Sequence, residues 1–342
     1  MPGNSNALLA PVVLFVYNRP WHTVQTLEAL MQNEEAKDSI LYIYADGPKE
    51  GASLEDMERI KKTREVIRQK KWCGEVHLIE SDINKGLANS VISGTSEIVN
   101  KYGSVITLED DVICSKYFLE YMNKGLILYK ADEKVWMISG YLWPLKKRQF
   151  KHHSFFMPFI TTQAWGTWER AWNKFDKKAY GYEVLKTSPK IKRKFNLNNN
   201  YDFANNLITQ IEEKKNNSWS IKFWWSMFKN DGLILFPDRT LIKNIGWDGS
   251  GENCGEIGQY EDNYWKRDYQ IKYFPPKIVS NSKHFKLVKS FHSKIIWKPK
   301  LTWKQYLVAK MPNSFLIKLY RKLKNYIKNG SLISSNTNIK EY

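Results

Sequence analysis

Residues 105–113, Val-Ile-Thr-Leu-Glu109-Asp110-Asp111-Val-Ile, put three adjacent acids at the end of an apolar run of strand composition. A buried strand does not tolerate three unpaired carboxylates, so the acids are expected where the strand leaves the sheet. In open α/β sheets that carboxyl end is where ligands bind. Grouped oxygen donors suit a hard divalent cation such as Mg²⁺ or Mn²⁺, which keeps waters and shares its other sites with substrate phosphates. Two plainer readings stand beside this one: an acidic loop, or an N-cap for a helix starting near Ser115.

The residues before this stretch repeat its pattern. Pro11–Tyr17 is a β-type run ending in Asn18-Arg19-Pro20, followed by helical spacing through Val24, Leu27, Leu30 and Met31. Ser39–Ala45 is a second strand, stopped at Asp46-Gly47-Pro48, and a charged amphipathic helix covers about Leu54–Lys70. A third strand at Val76–Ile79 leads through Asn84-Lys85-Gly86-Leu87 into a helix that reaches about Lys101. Strands alternating with helices in this way describe a doubly wound, mostly parallel α/β unit. Each strand ends in polar residues fit for a ligand: Arg19, Asp46, Asp82 with Lys85, and Asp111. That concurrence favours the metal reading.

The chain has 342 residues, long enough for one large domain with an appendage. Its three cysteines, Cys73, Cys114 and Cys254, are far apart and lack zinc-ligand spacing. Their scarcity favours a reducing compartment. No run of about 18 apolar residues is present, and the first residues do not read as a secretory signal, so a cytoplasmic protein, soluble or peripheral on the inner face of the plasma membrane, is expected. The net charge of +18 is uneven: residues 283–330 hold 13 Lys plus Arg and no acid, whereas residues 1–282 hold 39 basic and 34 acidic residues. Within the basic tail, Leu316, Leu319, Tyr320, Leu323, Tyr326 and Ile327 follow helical spacing opposite Lys318, Arg321, Lys322, Lys324 and Lys328. Such a segment reads as an anchor on an anionic membrane surface or as a terminal helix packed on the domain. No nucleic-acid recognition motif accompanies the charge.

Beyond Lys130 the pattern loosens. Val135–Ser139 reads as a strand and Lys146–His153 as a basic loop. Thr162–Trp172 crowds three tryptophans around Gly166, read either as partly ligand-facing or as a core junction. A helix is expected at Ser218–Asn230 and a strand at Leu233–Phe236. Gly246-Trp-Asp-Gly249-Ser-Gly251 follows, with the spacing of a mobile lid or a plain surface turn rather than a P-loop. The six histidines show no metal-ligand spacing, and each is read as structural or surface.

Taken in order, Pro-Val-Val-Leu-Phe-Val-Tyr-Asn-Arg-Pro, Ala-Asp-Gly-Pro, Asn-Lys-Gly-Leu-Ala, Leu-Glu-Asp-Asp-Val, Trp-Gly-Thr-Trp and Leu-Ile-Lys-Asn-Ile-Gly-Trp-Asp-Gly-Ser-Gly resemble bacterial GT-A glycosyltransferases of surface-polysaccharide loci, across residues 10–285. These in turn are similar to the Golgi N-acetylglucosaminyltransferase that initiates hybrid N-glycans. The resemblance implies a GT-A (Rossmann-like) doubly wound mixed sheet, and together with the charge pattern it divides the chain into a transferase domain at 8–285 and a basic amphipathic C-terminal helical extension at 286–342. It implies an enzyme that moves a hexosyl or N-acetylhexosaminyl group from a nucleotide-diphosphate sugar, UDP-linked, to a glycan or lipid-linked acceptor, with Mn²⁺ or Mg²⁺. By position, Arg19 contacts the diphosphate, Asp46 holds uracil or ribose, and Lys85 lies near the nucleotide. Asp111 ligates the metal, Asp110 and Glu109 touch ribose, water or sugar, and the loop carrying Gly246, Gly249 and Ser250 closes over the donor.

One position departs from the pattern: the relative's catalytic base directly follows a Trp, and here Trp219, expected among the nucleotide-sugar-binding residues, is followed by Ser220. The base is therefore unassigned among Asp248, Glu169 and Asp202, and a retaining route stays open beside the inverting one. Two other classes compete. A sugar-phosphate nucleotidyltransferase would show a Gly-rich phosphate loop where Asn18-Arg19-Pro20 stands, and a non-catalytic membrane-surface scaffold finds its support in Ser220.

Overall fold

The structure, a computed structural model, describes residues 9–145, 152–215, 217–250 and 265–295. The first half alternates β1 (Val12–Val16), α1 (Pro20–Met31), β2 (Ile40–Ala45), α2 (Leu54–Arg68), β3 (Glu75–Glu80), α3 (Leu87–Tyr102) and β4 (Ser104–Glu109). Then come β5 (Val112–Cys114), α4 (Phe118–Leu128), β6 (Val135–Ser139), β7 (Ser154–Met157), β8 (Trp165–Trp168) and the short helices α5 (Glu169–Trp172), α6 (Val184–Thr187) and α7 (Pro189–Phe195). The chain continues through α8 (Phe203–Glu212), α9 (Trp219–Lys229), β9 (Leu233–Pro237), β10 (Ile242–Asn244) and α10 (Ser282–Ile295).

Among the described residues, eight strands form one mixed sheet in the order β3-β2-β1-β4-β8-β6-β9-β7. β1 to β4 are mutually parallel, β8 runs antiparallel between β4 and β6, β9 is parallel to β6, and β7 closes the edge antiparallel to β9. The α/β class and the mixed sheet agree with the sequence reading. The strand order reverses between β1 and β4, which opens a crevice at their carboxyl ends.

The acidic stretch is not one strand. β4 ends at Glu109, and Val112–Cys114 pairs instead with β10 in a separate two-stranded ladder. The break is forced by the acids, since a further sheet residue at Asp110 or Asp111 would draw a carboxylate into the apolar interior.

Local sequence explains the helix ends. Ser53 caps α2, its hydroxyl accepting from the Asp56 amide at 3.1 Å. Gly103 closes α3 with φ 79°, a left-handed conformation that glycine adopts without a Cβ clash. The start of α3 has no cap of its own at Gly86, and Asp46 supplies one from across the fold.

Of the two readings of the tryptophan cluster, the fold supports the core junction and not a ligand-facing surface. Trp165 and Trp168 are 1% and 2% exposed, because β8 lies inside the sheet with both faces covered. Trp165 stacks on Trp172 at 5.5 Å and packs on Trp219 at 5.1 Å, and the Trp168 indole donates to the Leu126 carbonyl at 2.9 Å. Gly166 between them lets β8 approach α4, since an added Cβ would stand 3.0 Å from the Met122 methyl.

The chain divides into two compact units, 1–293 and 294–342. The 285/286 boundary drawn from sequence falls within α10, and the amphipathic stripe at Leu316–Ile327, the Lys146–Lys151 part of the basic loop and Cys254 lie outside the described residues. No helix among the described residues is long and apolar enough to cross a membrane.

His284 on α10 is 1% exposed and stacks on Phe155 at 3.8 Å, and burial pushes its pKa down to about 4. The unfolded chain therefore binds a proton near pH 6.5 that the folded one refuses until about pH 4. Stability from this residue is complete above pH 6.5 and is lost as pH falls through that window, by roughly 3 kcal/mol. Urea unfolding across pH 4–7 should show this slope in the wild type and a flatter one in His284→Phe.

Candidate active site

The crevice at the β1/β4 reversal gathers the residues that end three strands. Arg19 follows β1, Asp46 follows β2, and Glu109, Asp110 and Asp111 end β4, with Phe15, Tyr44, Asn84, Leu87, Ser90 and Ser250 completing the wall. Backbone bonds fix the acidic turn from two sides. The Thr26 hydroxyl on α1 donates to the Asp110 carbonyl at 2.7 Å, and the Ile245 amide donates to the Asp111 carbonyl at 2.8 Å.

Arg19 is the cation of the site. Its Nε and Nη2 reach both Asp110 oxygens in a bidentate pair, and Nη2 also lies 3.1 Å from Asp111 Oδ2. Burial works against the guanidinium charge, but Asp110 and Asp111 outweigh it and hold Arg19 above its ordinary pKa. Among the described residues its buried Nη1 has no hydrogen-bond partner.

One guanidinium does not balance three carboxyls. Burial, then the charges on Asp111 and Asp110, pushes the Glu109 pKa well above the usual carboxylate range. Asp110 is raised too, by burial against the pull of Arg19. Among the described residues no cluster of three or more His, Cys, Asp or Glu is arranged to hold a metal ion by itself. What fits is a narrower donor set, in which Asp111 would ligate a cation that takes its remaining sites from phosphate and water. Among the described residues Asp111 Oδ1 has only a 3.5 Å contact with the Asn244 side-chain amide, and the excess negative charge beside it suits a hard cation.

Asp46 is engaged by the fold itself. Its Oδ1 accepts from the Gly47 amide at 3.0 Å and the Lys85 amide at 2.8 Å, and its Oδ2 accepts from the Gly86 amide at 3.0 Å. It therefore shapes the turn that presents Asn84, Gly86 and Leu87 to the crevice. Lys85 contributes its backbone N–H to that turn, while its side chain is exposed.

The Gly-rich segment reaches the crevice. An added Cβ on Gly246 would overlap Asp111 Oδ2 and stand 3.0 Å from Arg19 Nη1, so a side chain there would displace the Asp111 carboxylate. Gly249 has φ 82°, in the left-handed region. Gly251 lies outside the described residues.

The structure does not bring the other expected residues to this place. Glu169 is exposed and donates its amide to the Gly103 carbonyl at 3.0 Å, at the amino end of β4. That is the end of the sheet opposite the acids. Asp202 is exposed at the start of α8, where its carboxylate accepts from the Asn205 side-chain amide at 2.8 Å. Trp219 is 6% exposed within the tryptophan cluster rather than in the crevice. Asp248 alone of the three base candidates stands near, and hydrogen bonding by Ser250, with His22 beside it, lowers its pKa below the ordinary aspartate value. That makes it a weak base.

Sequence reading missed His22 and Asn244. His22 lies three residues after Arg19, at the first turn of α1, a spacing that returns a side chain to the same end of the helix. No signal of comparable strength marks Asn244.

No protein-family profile and no curated relative matches the sequence. Among solved structures, the galactosyltransferase LgtC in complex with donor and acceptor sugar analogues superposes with a TM-score of 0.34 and 8% identity, over 84% of this chain and 98% of that one. For S. aureus TarS the TM-score is 0.33 with 9% identity, over 66% of this chain and 35% of that one. For 4-diphosphocytidyl-2C-methyl-D-erythritol synthase from Anaerococcus prevotii it is 0.35 with 11% identity, over 70% and 93%. The chain thus spans about a third of TarS, and 64% of a second LgtC structure, an active-site mutant. Overlap at this level is a distant likeness and gives this chain neither a family nor a reaction.

Removing the Asp46 carboxylate should loosen the turn at 84–86 rather than empty a ligand contact alone. Asp46→Ala is expected to lower the unfolding free energy by roughly 1–3 kcal/mol, with Asp46→Asn retaining part of it. Urea denaturation with an unchanged m-value checks this.

Proposed function

We propose that this chain is a metal-dependent glycosyltransferase that moves a sugar from a nucleotide-diphosphate donor, UDP-linked, to a hydroxyl of a glycan or lipid-linked glycan in cell-surface polysaccharide synthesis. The observation that carries this is the convergence of Arg19 with Asp110 and Asp111 at the β1/β4 reversal. That crevice offers an apolar wall at Phe15, Tyr44 and Leu87 beside a charged one, the two surfaces a nucleoside and its diphosphate need.

In this reading Asp111, with Glu109 or Asp110 through water, would hold Mn²⁺ or Mg²⁺, and that ion supplies Lewis-acid stabilisation of the departing diphosphate. Arg19 adds a fixed positive charge. Its buried Nη1 is a donor in reserve for a phosphate oxygen, and because Asp110 already orients the guanidinium, little reorganisation is needed as charge develops. The acceptor hydroxyl requires a base, and the structure supports neither Glu169 nor Asp202 in that role. Single displacement with inversion is the outcome proposed. The division into a transferase body at 8–285 and a basic tail at 286–342 that meets an anionic membrane surface is part of the same proposal and rests on sequence.

The test is a panel of nucleotide sugars assayed for Mn²⁺-dependent hydrolysis and transfer by the purified protein. Asp111→Asn should reduce turnover by at least about a hundredfold without changing the unfolding midpoint. Glu169→Gln and Asp202→Asn should stay within about twofold of wild type, since both side chains lie away from the crevice. Full activity in Asp111→Asn would remove the proposal.

A further inference from the structure

A polar contact between side chains joins the Gly-rich segment to helix α1. His22 on α1 is 6% exposed, and its Nε2 lies 3.1 Å from Asp248 Oδ2. The other oxygen of the same carboxylate accepts from the Ser250 amide at 3.0 Å and the Ser250 hydroxyl at 2.6 Å. Asp248 therefore joins helix α1 on one side to the turn carrying Ser250 on the other. Ser250 in turn lines the crevice.

The near end of the segment is pinned separately. The Gly246 amide donates to Asn244 Oδ1 at 2.8 Å, and the Ile245 amide donates to the Asp111 carbonyl. Between these attachments, residues 246–250 cross from the acidic turn to the start of α1, and the glycine at 249 in the left-handed region gives the crossing its bend.

We propose that His22 and Asp248 form a positioning latch, which holds residues 246–250 against α1 so that the turn at Ser250 keeps its place in the crevice wall around the bound nucleotide diphosphate. This rests on the donor proposed above. It also assigns Asp248 a role other than that of base: its carboxylate is spent on orienting the loop. His22 and Asp248 are positioning residues, acting on the donor through Ser250.

A latch made of two partners has a thermodynamic signature, because removing either one opens it and removing both opens it no further. His22→Phe keeps an aromatic ring beside Trp21 while deleting the nitrogen, and Asp248→Ala deletes the carboxylate. Affinity for UDP with Mn²⁺, measured by calorimetry on the full chain, should fall about tenfold in each single variant and by the same factor in the double variant. Asp248→Asn, which keeps the acceptor toward Ser250, should lose less. Hydrogen exchange of the amides at 246–250, measured without ligand, should accelerate in His22→Phe while the α1 and β4 amides are unchanged.

Independent, additive losses, or exchange at 246–250 equal to wild type, would overturn the latch. If wild type does not bind UDP with Mn²⁺, the donor assignment fails instead, and the exchange measurement alone decides whether the loop is latched.

Discussion

Everything at the crevice depends on a charge imbalance that the fold imposes. Three consecutive carboxyls leave the sheet at one point and meet a single guanidinium. Arg19 can form one bidentate pair, and Asp110 takes it, so Asp111 receives a shared contact and the Glu109 carboxyl makes no hydrogen bond or ion pair among the described residues. Such an arrangement is costly in a protein that uses the site only for support, because unbalanced carboxyls in a partly buried turn oppose folding. It is useful in a protein that receives a cation and a phosphorylated ligand there. The strand order supplies the place, since a crevice forms only where successive crossovers change direction.

The surrounding structure pays this cost through the backbone. Thr26 and Ile245 bond the carbonyls of Asp110 and Asp111, so the turn keeps its shape despite the repulsion among its side chains. Asp46 does the equivalent for the neighbouring turn, by accepting from amides that the start of α3 leaves unpaired. Side chains that read as ligand contacts thus also serve as structural acceptors. Precise placement of the crevice walls follows from those bonds, not from the apolar core alone.

Much of this was legible in the sequence, for a definable reason. A strand buried on both faces must be apolar throughout, so a polar residue at its end announces the edge of the sheet, and Arg19, Asp46 and Asp111 were all found that way. The second half resisted because its signals are short and long-range. β8 is four residues, Trp165–Trp168, and nothing local says that it inserts antiparallel between β4 and β6. For the same reason the sequence leaves the tryptophans open between a ligand-facing surface and a core junction, and the fold buries them. Glu169 was a plausible base by residue type, but its position at the amino end of β4 follows from the strand's direction, which its own neighbours do not encode. A lone histidine near a helix start is usually structural, and nothing local to His22 points to a partner 226 residues away.

The central claim is that the β1/β4 crevice binds a nucleotide diphosphate together with a divalent cation held at Asp111. Calorimetric titration of UDP into the full chain, with Mn²⁺ and then with the metal chelated, tests it most directly when repeated on Asp111→Asn. The account predicts binding in the wild type that requires the metal and that is lost in the variant while the fold is kept. Equal UDP affinity with and without Mn²⁺, and in both proteins, would contradict it.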